Sequence, residues 1–305
     1  VSSESAIPEW LPLTINGRQF IWGQRTYLMG VLNITPDSFS DGGKFVTIDA
    51  AVAQAQLLVS AGADLLDIGG QSTRPQAAEV SLETELNRVI PVIEALRGGV
   101  VNLAVPISVD TTRSGVARAA IQAGADLVND ISGGTFDPQM LPTVAELGVL
   151  IVLMHIRGTP QTMQQLTDYA DLIGEVSQFL QERGAAAIAC GVDRSRIILD
   201  PGIGFAKTYS QNLEILRSLH RLRALGYPVL VGPSRKSFIG HILNQADPQQ
   251  RVWGTAAACC AAIAGTADIV RVHDIAQMRD VCRVADAIWR GDLERLEPPP
   301  HPGGQ

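Results

Sequence analysis

AGADLLDIGGQSTRP, residues Ala61 to Pro75, holds a helix end, a buried strand and a polar loop in one short run. Gly62 stops a helix, because a residue without Cβ leaves helical backbone at least cost. Asp64 opens a strand, Leu65–Gly69 is nearly all apolar, as a strand covered on both faces must be, and the chain then turns abruptly polar. The head of this unit recurs as AGADL at Ala123–Leu127 and, in related form, as AGTAD at Ala264–Asp268. Its polar end recurs at GVLNITPDSFSDGG (Gly30–Gly43), ISVDTT (Ile107–Thr112), LVNDISGG (Leu127–Gly134), LMHIRG (Leu153–Gly158), ILDPGIGF (Ile198–Phe205), SRKSFIG (Ser234–Gly240) and VRVHD (Val270–Asp274), which makes eight with the first. Eight strands that each end in polar residues predict an α/β fold, a (β/α)8 TIM barrel with an N-terminal β-hairpin and one active site at its C-terminal mouth.

The expected strands are Tyr27–Ile34, Asp64–Gly69, Ile107–Asp110, Leu127–Asp130, Leu150–His155, Ile197–Asp200, Val229–Gly232 and Ile269–His273. Helical periodicity covers Asp49–Ala61, Leu82–Leu96, Ser114–Ala123, Pro138–Leu147, Tyr169–Ala189, Gln211–Leu225 and Val252–Ala264. A doubly wound open sheet would show the same alternation. Even repetition of the unit favours closure, and no GxGxxG follows the first strand. LTINGRQFIW (Leu13–Trp22) alternates around Asn16-Gly17, a hairpin signal, and is expected to plug or flank the bottom of the barrel. The expected organisation is an extension with the hairpin over residues 1–26, a barrel over 27–291, and a disordered Pro- and Gly-rich tail over 292–305.

A chain of 305 residues with 46% hydrophobic content can bury one large core as a single domain. Its net charge of −7 argues against nucleic acid or a membrane surface as the main partner. No targeting segment or apolar run of membrane-spanning length is visible, so a cytoplasmic location is expected. Cys190, Cys259, Cys260 and Cys282 lie in Ala-rich contexts without CxxC spacing and are expected to be buried free thiols.

The strand ends supply Asn33, Asp67, Thr73, Arg74, Asp110, Asn129, Asp130, His155, Asp200, Lys236, Ser237, Arg271 and His273. Acceptors on one side and Lys and Arg donors on the other suit a flat heterocycle with a donor edge and an acceptor edge, such as a pterin or a purine. A carboxylate accepts two parallel hydrogen bonds from an amino-N–C–N–H edge, and Asp200 and Asn129 are candidates for that contact, with Lys236 donating to a ring carbonyl or nitrogen. The competing role for each Asp is to cap the following helix. Capping is the expectation for Asp130 and Asp274, while Asp110 and Asp200 stand evenly between the two roles. Arg74, and Arg271 with His273 at alternate positions of the last strand, point to an anionic substrate such as a diphosphate or carboxylate. The Gly-rich stretches Asp37–Gly43 and Gly69–Pro75 read as mobile lids. His155 reads as a core histidine, and no motif spacing supports a tightly held transition metal.

In order, these strings resemble the dihydropteroate synthase family over about Tyr27–Trp289. GVLNITPDSFSDGG and SRKSFIG are highly specific to it, DIGGQSTRP, NDISGG and LDPGIGF are strong, and GTAAA (Gly254–Ala258) and IVRVHD complete the set. The resemblance implies a folate-pathway transferase, a sulfonamide target, that joins 6-hydroxymethyl-7,8-dihydropterin diphosphate to p-aminobenzoate and releases diphosphate. It implies a pterin pocket of Asp110, Asn129, Met154, Asp200, Phe205, Gly232, Lys236 and Arg271. Asn33, Arg74, Arg271 and His273 would hold diphosphate, with magnesium on Asn33. Phe39, Thr73, Pro75 and Ser237 would frame p-aminobenzoate. Asp110, Lys236 and Arg74 would be the catalytic residues of an expected homodimer.

Three positions depart from the family pattern: Gln71 and Gln76 replace Glu and Gly, and Ala206 stands where Gly is usual. No kinase domain for the preceding pathway step is visible, so a bifunctional form is not expected. An arylamine is neutral and nucleophilic at pH 7, so the difficult step is departure of diphosphate. A dissociative substitution with Asp110 near the developing cation follows. A methyltetrahydrofolate-binding methyltransferase resembles the family in barrel and pocket but has no use for diphosphate, so SRKSFIG and STRP weigh against it. A catalytically silent paralogue ranks third, because every expected pocket residue is retained.

Overall fold

The computed structural model describes residues 12–35, 48–74, 77–98 and 101–291. Two short strands, β1 (Leu13–Ile15) and β2 (Arg18–Phe20), pair antiparallel around Asn16 and Gly17, whose φ of 45° and 73° fit the tight turn. Eight parallel strands follow: β3 (Tyr27–Asn33), β4 (Leu65–Gly69), β5 (Ile107–Asp110), β6 (Leu127–Asp130), β7 (Leu150–Met154), β8 (Ile197–Asp200), β9 (Leu230–Val231) and β10 (Ile269–Val272). Their order is β8-β7-β6-β5-β4-β3-β10-β9. The ring closes where Leu199 bridges Val229 and its N–H donates to Pro228 O at 2.9 Å. This is the TIM barrel expected from the sequence, with the hairpin as a separate small sheet.

Helices cover the outside: α1 (Ile48–Ala61), α2 (Leu82–Arg97), α3 (Ser114–Gln122), α4 (Met140–Leu147), α5 (Leu172–Ala189), α6 (Tyr209–Arg217), α7 (Leu219–Arg223), α8 (Ser237–Ile242), α9 (Val252–Ala264) and α10 (Ile275–Arg290). The helix expected over Gln211–Leu225 breaks at Ser218, whose φ and ψ of −113° and 12° are not helical. The start of α5 falls later than Tyr169, because the Asp171 side chain caps it by accepting from Gly174 N–H. Periodicity did not single out α8 or α10. The ninth strand shrinks to two residues because Pro228 and Pro233 flank it and neither can donate to a ladder.

The repeated Ala-Gly-Ala-Asp head has one physical task. Asp64, Asp126 and Asp268 each accept the N–H of a residue in or at the edge of the preceding strand, Leu28 at 2.9 Å, Ile107 at 2.7 Å and Val229 at 2.9 Å. Each carboxylate also pairs with an arginine, Arg25, Arg97 and Arg223 respectively. The bottom edge of the barrel thereby satisfies strand N–H groups that a ladder cannot reach.

Side chains facing the barrel axis alternate along every strand. At the N-terminal end they are apolar: Tyr27, Met29, Leu65, Leu127, Leu150, Val152, Ile198, Leu230 and Ile269 form one cluster with Ile15, Phe20 and Trp22 of the hairpin region. The hairpin therefore plugs the bottom. Two residues further along β4, β6, β8 and β10 the same face carries Asp67, Asn129, Asp200 and Arg271. One interior thus changes from packing to recognition within a single two-residue step. The outward faces of the strands, including Leu66, Ile68, Val109, Val128, Leu199 and Val270, join the helices in the main core. No helix among the described residues is long and apolar enough to cross a membrane. All four cysteines are free thiols, and Cys259 and Cys282 are buried as expected, but Cys260 is only half-buried and Cys190, which follows the last residue of α5, is exposed.

Candidate active site

Alternate strands of an eight-stranded barrel contribute the four side chains of one interior layer. Here that layer is tied together by charge. Arg271 Nε donates to Asp67 Oδ2 at 2.6 Å, and Asn129 Nδ2 donates to the same oxygen at 3.0 Å. Arg271 Nη2 reaches up to Asp110 Oδ2 on β5 at 2.9 Å. The other three members of this network are nearly sealed from solvent, with Asp67 0%, Asn129 4% and Asp110 7% exposed. Asp200 Oδ1 accepts from Gly202 N–H at 2.7 Å, which leaves its other oxygen for a ligand.

Lys236 stands over the Phe205 ring, its Nζ 4.3 Å from the centroid. It is sent inward by a strained turn: Arg235 adopts φ 59°, held by Asp274, whose carboxylate takes Arg235 Nε at 3.0 Å and Nη2 at 2.6 Å. Asp274 occupies the N-cap position of α10 but makes no side-chain cap there, so its expected capping role gives way to this ion pair. Asp130 is a cap, though of the turn after its strand: it accepts from Ser132 N–H, Ser132 Oγ and Gly134 N–H at 2.7, 2.7 and 3.1 Å.

Burial shapes the charges. The Asp110 carboxyl is raised to about 7, by burial first and then by Asp67, against the pull of Arg271. Burial raises Asp200 to about 6 and lowers Lys236 to about 8, each against the attraction of the other. His273 is lowered to about 3 by burial and then by Arg271, so it is neutral at pH 7. Its backbone N–H donates to Ser234 Oγ at 3.2 Å, and that hydroxyl lies 3.0 Å from His273 Nδ1. A Ser234 hydroxyl that donates to Nδ1 leaves the ring proton on Nε2.

Of the residues singled out from sequence, the structure brings Asp110, Asn129, Asp200, Phe205, Lys236 and Arg271 into this one region. Met154 belongs to a small apolar cluster with Phe205, and Gly232 directly precedes the turn that carries Ser234, Arg235 and Lys236. Thr73 and Asp110 line a common cleft of about 310 Å³ at the mouth with Gln71, Thr111 and Phe136. Arg74 is exposed on the loop after β4, and Ser237 is exposed at the start of α8. Asn33 ends β3 opposite Gly69. Phe39, Pro75 and the Asp37–Gly43 stretch lie outside the described residues. His155 is a core residue, 2% exposed.

Sequence reasoning did not assign a site role to Asp67, Ser234, Arg235 or Lys207. The signal for Asp67 was present, since Leu65 and Asp67 must share the inward face of β4. Lys207 carried none: it is 2% exposed, with Nζ 2.9 Å from Phe205 O and 3.0 Å from His155 Nδ1.

The pterin binding enzyme family matches residues 29–273. A dihydropteroate synthase of Synechocystis is 61% identical over 279 residues, 92% of this chain and 96% of the relative. Among solved structures, Xanthomonas albilineans dihydropteroate synthase with 4-aminobenzoic acid aligns with a TM-score of 0.84 at 46% identity, covering 92% of this chain and 98% of that one. The same enzyme in complex with 7,8-dihydropteroate aligns at 0.81 and 44% identity, covering 91% and 98%. An apolar-floored barrel whose mouth carries this polar layer, at such similarity over nearly the whole length, places the chain in the pterin binding enzyme family among its dihydropteroate synthases, transferases of folate biosynthesis.

Proposed function

We propose that the interior layer of Asp67, Asn129, Asp200 and Arg271, with Asp110 and Lys236 above it, is the pocket in which this chain joins 6-hydroxymethyl-7,8-dihydropterin diphosphate to p-aminobenzoate. The observation that carries the assignment is the interior of the barrel turning, at one level on four strands, from apolar residues to a donor and acceptor ring. The free oxygen of Asp200 and the carboxamide of Asn129 accept from the amino-N–C–N–H edge of the pterin. Lys236 donates to the opposite edge, while Met154, Phe205 and Gly232 bound its faces.

The dissociative route fits these charges. The arylamine needs no base, so the protein's task is to let diphosphate leave. The Asp110 carboxylate faces the developing positive charge, and Arg271 keeps a share of it ionised at neutral pH. Arg74 and the Nε2–H of neutral His273 donate to the departing diphosphate, and Thr73 and Ser237, with Phe39 and Pro75, frame the arylamine.

Among the described residues no three His, Cys, Asp or Glu side chains are grouped to hold a metal. Asn33 offers a single neutral oxygen at the mouth, which suits a magnesium ion that arrives on the substrate and keeps phosphate oxygens and water as its other ligands. When bound, such an ion neutralises leaving-group charge. A homodimer and a cytoplasmic location belong to the same proposal, and sedimentation of the purified chain measures the former.

The test is direct. Purified protein given both substrates and magnesium should form 7,8-dihydropteroate and diphosphate in equal amounts, and should restore growth without folate to a strain lacking the synthase. Failure of both overturns the proposal.

A further inference from the structure

Asp67 has a place in the layer that no substrate contact explains. It is 0% exposed, and one of its oxygens takes both Arg271 Nε at 2.6 Å and Asn129 Nδ2 at 3.0 Å, while the other, Oδ1, is buried without a partner among the described residues. A buried carboxylate oxygen left unsatisfied is costly, so the position is maintained for what the other oxygen does.

We infer that Asp67 is a positioning residue that sets the specificity of the pterin pocket, by holding the Asn129 carboxamide with its nitrogen inward and its oxygen toward the ligand. The physical reason is the donor and acceptor inventory. An amide can present either end, but an ionised carboxylate only accepts, so the Asn129 end that meets Asp67 must be the NH2. A flipped Asn129 would set two acceptors against each other at 3.0 Å. Arg271, on the same oxygen from the other side, keeps Asp67 from turning away. The Asn129 Oδ1 accepts no hydrogen bond among the described residues, so it faces the pocket as a pure acceptor.

This deepens the pterin-pocket reading and rests on it. Asp200 can accept the N3–H of a 2-amino-4-oxopteridine and one of its two amino hydrogens. The second amino hydrogen then falls to an acceptor on a neighbouring strand position, which Asn129 supplies only in the orientation that Asp67 enforces. A ring offering an acceptor there would meet oxygen against oxygen and be rejected.

The experiment compares two probes by calorimetry, a 2-amino-4-oxopteridine and the 4-oxopteridine that lacks the amino group. The readout is the ratio of their affinities, which a general loss of stability does not move. In Asn129→Ala the preference for the amino compound should fall about tenfold, the worth of one hydrogen bond. Asp67→Leu fills the space with a side chain that accepts nothing, and it should lower the ratio at least as far. Asp67→Leu/Asn129→Ala should lower it no further than the stronger single variant.

Asp67→Asn is the conservative rescue. Its oxygen can take the place of Oδ2 and hold both donors, so it should keep the ratio within about threefold of the original protein. It also stands as the test if Asp67→Leu does not fold, since loss of the ratio in folded Asp67→Asn to the Asn129→Ala level would overturn the inference. If Asn129→Ala lowers the ratio but folded Asp67→Leu leaves it intact, the positioning role alone is wrong. If Asn129→Ala itself leaves the ratio intact, the pocket assignment fails and takes this inference with it.

Discussion

Asp110→Asn separates a catalytic charge from a binding contact. The side chain is 7% exposed, and its Oδ2 accepts from Arg271 Nη2 at 2.9 Å, a bond that an amide oxygen can still make. The variant therefore removes charge and keeps shape, and Arg271 retains Asp67 as its counter-ion. A unit charge about 4 Å from a developing cation is worth about 4 kcal/mol at an effective dielectric of about 20. With a pKa of about 7 the carboxylate is half ionised at pH 7, which takes off about 0.4 kcal/mol. The amide oxygen returns about 1 kcal/mol as a neutral acceptor. The remainder, about 2–3 kcal/mol, lowers kcat about a hundredfold with little change in pterin KM. Single-turnover quench measurements read the chemical step, and diphosphate release without p-aminobenzoate reads capture of the cation by water; both should fall together. An unchanged chemical step with a raised KM would refute the reasoning and make Asp110 a pterin anchor.

The same group gives two pH signatures. Activity should lose, in the variant, the part of its acid limb near pH 7 that protonation of Asp110 supplies, leaving the limb set by Asp200 near 6. For stability, a carboxyl whose folded pKa is raised contributes most below its unfolded pKa of about 3.9, and that contribution is lost as pH rises through about 7. Asp110→Asn should accordingly melt higher than the original protein at pH 8, with the gap closing toward pH 4.

Three further outcomes follow from the geometry. In Asp200→Asn the amide oxygen must stay on Gly202 N–H, so an NH2 faces the donor edge of the ring; pterin affinity should drop about tenfold or more, a cost of about 1–3 kcal/mol read by calorimetry. Ala206 is fully buried at φ 49°, a left-handed conformation that costs a residue with Cβ about 1–2 kcal/mol, so Ala206→Gly should raise Tm by about 1–3 °C after the larger chain entropy of glycine is set against it, and a lowered Tm would show the strain to be absent. Because Thr73 and Asp110 line one cleft at the mouth, p-aminobenzoate should bind weakly to the free protein and well with diphosphate and magnesium; equal affinity in both titrations would show the arylamine site to be complete without them.

The barrel was legible because its signals are local and repeated. Each Ala-Gly-Ala-Asp head fixes a helix end and a strand start through backbone geometry and one carboxylate, and three strands were located to the residue from apolar runs. The break at Ser218 and the two-residue β9 were not, since both depend on neighbours rather than on periodicity. At the site, residue types alone marked Asp200, Lys236 and Arg271, but partner choice was hidden. Asp274 looked like a helix cap and is instead the anchor of Arg235, because the left-handed turn before Lys236 brings up a guanidinium that donates to both carboxylate oxygens, and no side-chain cap of α10 is made.

Asp67 shows why such partners escape a linear reading. Its two donors stand 62 and 204 residues away along the chain, yet each lies on the second strand to one side of β4. A barrel layer draws its members from alternate strands, so the residues that orient one another are never on hydrogen-bonded neighbours, and no register between paired strands reveals them. They become predictable once the inward face is counted from the floor: Leu65, Leu127, Ile198 and Ile269 fill the apolar level, and the residue two further along each strand must meet the others around the axis. Carried out on the sequence, that count groups Asp67 with Asn129, Asp200 and Arg271 before any contact is measured. It also gives the reason a buried acidic residue is tolerated there, since the layer supplies its own cation.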